Sequence, residues 1–181
     1  MTSPVIAIDG PAGSGKSTTA KAVAARLGFA HLDSGALYRA ATLAALDAGV
    51  PLTGDRVVAL ASALPVRLNF TGDAFRPEVA GVDVSVEARS GRVTSRVSEV
   101  SAMAAVRAWV NEALRAATAL HPRGVVIDGR DIGTAVFPDA ALKVFMTADN
   151  RERARRRLLQ EGRGTDDASV DEAFEVHKAL V

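Results

Sequence analysis

The chain's 181 residues suit one compact domain over 1–181, and an apolar share of 48% supplies material for a core. Charged residues make up 24% and nearly balance at a net charge of +1, which excludes the marked basic excess of a dedicated nucleic-acid binder and confines any basic site to a local cluster. The absence of cysteine excludes disulfides, thiolate metal sites and cysteine nucleophiles. It also fits a reducing compartment. Met1-Thr2-Ser3-Pro4 carries no basic leader, and no apolar run reaches the ~18 residues of a membrane span, so a soluble cytoplasmic protein without a membrane partner is expected.

Val5-Ile6-Ala7-Ile8 is a β-branched run ending in Asp9-Gly10, the pattern of a buried strand entering a tight turn. From Lys16 a helical pattern places Ala20, Val23, Ala24 and Leu27 on one face, with Gly28 at the expected C-terminal cap. Further helices are expected over Ala36–Ala48, where Ser34 and Gly35 are candidate caps, and over Asp55–Ala63. Val66, Leu68 and Phe70 alternate with polar partners, Thr71-Gly72-Asp73 is turn-like, and Glu78–Val86 alternates around Gly81. Together these predict a small antiparallel hairpin between helices. Helical spacing returns over Ser90–Leu120. Strands are expected at Val125–Ile127 and Leu142–Met146, helices at Asn150–Gln160 and Val170–Leu180, with a turn at Gly162-Arg163-Gly164. Strands alternating with helices predict an α/β fold with a parallel sheet.

Gly10-Pro11-Ala12-Gly13-Ser14-Gly15-Lys16-Ser17 matches the P-loop pattern G-x-x-x-x-G-K-[ST], and it has the required strand before it and helix after it. Glycines let successive backbone N–H groups turn inward onto phosphate oxygens, and the helix N-terminus adds positive potential. Lys16 reaches the β- and γ-phosphates, and Ser17 is the candidate Mg²⁺ ligand.

Two further motifs sit near strand ends. Leu32-Asp33-Ser34-Gly35-Ala36-Leu37-Tyr38-Arg39 carries Arg39 one turn into a helix, where it can take an acceptor phosphate. Asp128-Gly129-Arg130-Asp131 follows a buried strand, at the edge where open α/β sheets bind ligands. No asparagine-lysine-x-aspartate guanine motif of the regulatory GTPases is present, and the short chain points to a kinase of small metabolites.

The combination of Ile8-Asp9-Gly10-Pro11 through Thr18, Leu32–Arg39, and Asp128–Asp139 with Thr134-Ala135-Val136-Phe137-Pro138 resembles the bacterial cytidylate kinases. The resemblance implies a nucleoside-monophosphate-kinase-like fold with a substrate-domain insertion at 64–89 and an arginine-rich lid at 150–168. It implies transfer of the γ-phosphate of ATP to CMP or dCMP, small-molecule partners only, and a monomer. Gly10, Pro11, Ala12, Gly13, Ser14, Gly15, Lys16, Ser17 and Thr18 would wrap the ATP phosphates. Arg39 and Arg130, with Ser34 nearby, would grip the acceptor phosphate, while Ser98, Arg107 and Asp131 would read the cytosine edge. Lys16, Arg130 and Asp128 are the catalytic candidates. Lid arginines Arg153, Arg156 and Arg157 belong to a segment with five arginines over 151–157. A solvated helix with a Glu152–Arg156 pair is the plainer alternative for that segment.

Ser98 and Arg107 are nine residues apart, about 900° on an unbroken helix and half a turn out of phase. Both face one ligand only if the helix breaks, and Ser101–Ala105 lacks the proline that relatives often carry there. The family also continues past the lid with an arginine-aspartate-rich segment and another core strand, neither of which is found where Glu175–Val181 stands. A sheet edge lacking its partner strand is therefore expected. The alternatives are a nucleotide-binding remnant with impaired transfer, and another small-molecule kinase such as one acting on shikimate.

Overall fold

The computed structural model describes residues 3–160 and 162–178; Met1, Thr2, Glu161 and 179–181 lie outside the described residues, as do the start of the leader reading and the end of the expected Val170–Leu180 helix. Two fully buried strands form the centre, β1 (Val5–Asp9) and, later in the chain, Val125–Gly129. Their β-branched side chains alternate between two layers: Val5 and Ala7 join the larger core cluster, whereas Ile6 and Ile8 pack with Ala20 and Ala24 of α1 (Lys16–Leu27). Leu27, expected on the buried face of α1, is 51% exposed.

A strand absent from the sequence reading follows, β2 (Ala30–Asp33). Four residues with a histidine among them show no readable period; the sheet itself buries them. Next come α2 (Ser34–Asp47) and α3 (Gly54–Ala63). The hairpin is β3 (Val66–Thr71) and β4 (Ala74–Val79), with a short β5 (Val82–Asp83) antiparallel to β4. Its second strand starts at Ala74 rather than Glu78, because the tight Gly72-Asp73 turn, with Gly72 at φ +69°, brings Ala74 opposite Thr71. A parallel pairing of His31 with Ala74 joins the hairpin to the central sheet.

The expected single helix over Ser90–Leu120 is three: α4 (Gly91–Thr94), α5 (Val97–Ala102) and α6 (Ala104–Ala119). The break is at Met103, which is extended at ψ 123°. Val100 and Val106 explain it without proline. Both are fully buried, yet six residues on an unbroken helix would set them about 120° apart, so the chain bends to bring both inward.

The chain then runs through β6 (Val125–Gly129), a single π-turn at Ile132–Val136, β7 (Leu142–Phe145), α7 (Asn150–Gln160) and α8 (Asp167–Lys178). The sheet order is β3-β4-β2-β6-β1-β7, and β2, β6, β1 and β7 are mutually parallel. Ala154 and Leu158 of α7 pack on Val170 of α8 as a small separate cluster. Among the described residues, no helix is long and apolar enough to cross a membrane.

Candidate active site

Parallel strands place their C-terminal ends along one edge, and here four loops leave from it: the P-loop after β1, Asp33-Ser34 after β2, Arg130-Asp131 after β6 and Met146–Ala148 after β7. They open onto a single cleft of about 1540 Å³. The P-loop curls through Gly13 at φ +77° and Gly15 at φ +93°, backbone values that side chains disfavour. Lys16 Nζ donates to Pro11 O at 3.2 Å, so its ammonium lies back along the loop. Burial lowers its pKa and Arg130 adds to this, against the attraction of Asp128. The buried Ser14 hydroxyl has no protein partner among the described residues, which leaves a donor for a ligand oxygen.

Asp128, almost fully buried, ties three elements together. Its Oδ2 accepts from the Ser17 hydroxyl at 2.5 Å, and its Oδ1 shares a hydrogen bond with His31 Nε2 at 2.7 Å. Its main-chain oxygen accepts from the Ser34 hydroxyl at 2.8 Å. The helix cap assigned to Ser34 and Gly35 belongs instead to Asp33, whose carboxylate accepts the Gly35 N–H at 2.9 Å. Ser34 is already helical and turns its hydroxyl onto β6.

Arg39 is half-buried in the cleft and donates to Thr94 at 2.9 Å; burial first, and neighbouring Arg89 second, lower its pKa. Arg130 lines the same cleft, with Asp131 next along the loop. Asp131 pairs with Arg107, and the break at Met103 lets Ser98 line the same cleft as Arg107. The two residues that one straight helix would separate thus reach one space. On α7, Arg156 donates to Gly13 O at 3.3 Å and to Glu152 at 2.7 Å, so the plain i,i+4 pair and a P-loop contact coexist. Arg157 lines the cleft, while Arg153 bonds Asn150 and sets its main chain against Gly13. Thr18 lines the cleft at the first turn of α1.

Sequence reasoning missed Asp9, His31, the capping role of Asp33 and Arg89, which ion-pairs with Asp33 at 2.8 Å. Asp9 adjoined a recognised motif, which was its one available signal; His31 and Arg89 depend on contacts distant in the chain.

A sequence model of the cytidylate kinase family matches residues 6–178. The chain belongs to this family. Among its relatives, the cytidylate kinase of Limosilactobacillus fermentum is 46% identical over 171 residues, covering 92% of this chain and 74% of that one. That of Streptomyces griseus is 45% identical over 172 residues, covering 94% and 74%. The Salinibacter ruber enzyme is 43% identical over 171 residues, covering 93% and 75%. The cytidylate kinase resemblance, an α/β P-loop fold and an ATP-dependent kinase class are thereby borne out, and the shikimate-type alternative is not favoured.

Proposed function

We propose that this chain transfers the γ-phosphate of ATP to CMP or dCMP, giving ADP and CDP or dCDP. One observation carries the reading: a P-loop and the Arg130-Asp131 loop leave adjacent parallel strands and open on the same cleft, in a chain of the cytidylate kinase family. The P-loop amides and Lys16 take the ATP phosphates. Arg39 and Arg130 hold the acceptor phosphate by charge-assisted hydrogen bonds.

The nucleophile is a phosphate oxygen, already largely ionised near neutral pH because a monoester's second pKa is about 6. No general base is needed. Rate comes from alignment and from Lys16 and Arg130 neutralising charge as it shifts toward the leaving group. Arg156 on α7 reaches the P-loop at Gly13 and Arg157 lines the same cleft, where both limit access of water.

The hydroxyl of Ser17 beside the Asp128 carboxylate is a hard oxygen donor set that fits a divalent cation, proposed to be Mg²⁺ arriving on the ATP phosphates. Held there, such an ion would supply positive charge to offset that of the phosphates during transfer. For the base, Asp131 accepts from the exocyclic amine of cytosine, while Arg107 and Ser98 donate to its ring acceptors. Uracil presents a carbonyl where the amine stood, so the Asp131 carboxylate would face an acceptor and be left unpaired.

The test is ADP release from Mg-ATP with CMP, dCMP, UMP, AMP or shikimate as acceptor. Release with CMP or dCMP, lost in Lys16→Ala and Arg130→Ala, is expected. Release with a different acceptor alone, or with none in a protein that binds ATP, would overturn the reading.

A further inference from the structure

Asp9 ends β1 one residue before the P-loop glycine, and the residue is 7% exposed. Both carboxylate oxygens are engaged. Oδ1 accepts the Ile132 N–H and Oδ2 the Gly133 N–H, each at 2.8 Å. These amides open the π-turn that directly follows Arg130-Asp131. The other end of that turn is held separately: Arg115 of α6 donates to the carbonyls of Val136 and Ala135, both at 3.0 Å. Beside Asp9, the Gly10 N–H donates to Gly129 O at 3.2 Å, and Met146 N–H donates to Asp9 O at 2.7 Å.

A carboxylate buried on two main-chain amides grips more strongly than neutral acceptors would. It also joins two loops with separate tasks, since the chain beyond Asp9 takes the donor nucleotide and the chain before Ile132 takes the acceptor. We propose that Asp9 is a positioning residue for phosphoryl transfer: it sets the Arg130-Asp131 loop in register with the P-loop, and so fixes the separation of acceptor and donor phosphates. The inference rests on the kinase reading above. Small displacements at a reacting centre are costly to rate, which makes this clamp a determinant of turnover as well as of folding.

Asp9→Asn keeps the volume but replaces one oxygen with an NH₂ group that cannot accept, so at most one of the two amide bonds survives. The expected loss is roughly 10- to 100-fold in kcat/KM for CMP, the size of one charge-assisted hydrogen bond. The preference for CMP over UMP should narrow as Asp131 shifts, with KM for ATP changed by less than about threefold. In an Arg130→Ala background the Asp9→Asn loss should shrink, because both changes act through one loop. A variant with lowered Tm but unchanged kcat, KM and CMP preference would overturn the proposal, as would full additivity with Arg130→Ala.

Backbone hydrogen exchange separates this inference from the kinase reading, because it needs no turnover. If wild type releases no ADP with any acceptor, the kinase reading fails, and the clamp is judged by exchange at Ile132 and Gly133 alone. Slow exchange at both amides in wild type, faster in Asp9→Asn, is expected. Fast exchange at both amides in wild type, readable even if the variant does not fold, would overturn it.

Discussion

Gly10 joins β1 to the P-loop at φ +155°, and a methyl group on it would lie 2.1 Å from the main-chain oxygen of Met146 and 3.1 Å from the Ser14 hydroxyl. Main chain cannot rotate out of the way as a side chain can. Gly10→Ala must therefore push the end of β7 off β1, breaking the 2.7 Å bond from Met146 N–H to Asp9 O. Losing that bond costs about 1 kcal/mol, and holding a non-glycine residue in such backbone costs about 1–3 kcal/mol more. A destabilisation of about 2–4 kcal/mol is expected from urea unfolding with an unchanged m-value. Gly72→Ala is the control. It shares a positive φ of +69° but meets nothing within 4 Å, so only the backbone term of about 1–2 kcal/mol applies. Because Gly10 also begins the proposed phosphate cradle, ATP affinity measured by calorimetry should fall in Gly10→Ala and hold in Gly72→Ala. Equal destabilisation in the two variants, with ATP affinity retained in both, would refute the reasoning.

Lys16→Met should be more stable than wild type near pH 7. Burial lowers the Lys16 pKa in the folded state, so folding a charged lysine costs stability below that pKa. The cost is relieved as pH rises toward the unfolded value of about 10.4. Denaturation of both proteins from pH 7 to 10 should show the gap closing, and a gap that widens would contradict the sign. The same variant should lose on the order of 10²- to 10³-fold in kcat, measured by ADP release at saturating CMP. Arg107→Ala strips Asp131 of its partner and should cut the CMP-to-UMP ratio of kcat/KM by on the order of 10- to 100-fold. Parallel losses with both acceptors would argue against base reading. Leu114→Ala, at a side chain 1% exposed on α6, should cost about 2–5 kcal/mol by urea unfolding without a change in KM per folded molecule.

Motifs carried by contiguous residues, and the strand ends that deliver them, were legible without coordinates. The P-loop needs glycines, a lysine and a hydroxyl at fixed spacing, because its ligand is held by consecutive amides, and strand-motif-helix order alone announced it. The same holds for Asp128-Gly129-Arg130-Asp131, which one strand end delivers together, and for β1 and β6, whose continuous apolar runs reflect burial on both faces. Short or mixed segments were not legible. Ala30–Asp33 is a strand because β6 pairs along it, and His31 is tolerated inside because Asp128 meets its ring at 2.7 Å. The bend at Met103 follows from the need to bury both Val100 and Val106, a demand made by the core rather than by any helix-breaking residue. That bend decides whether Ser98 and Arg107 share a space. The pairing of Asp9 with amides more than 120 residues away likewise exists only in three dimensions. Local spacing determined which groups this chain brings to the cleft; packing of distant segments decided how those groups are held relative to one another, because buried polar atoms must find partners wherever the fold supplies them.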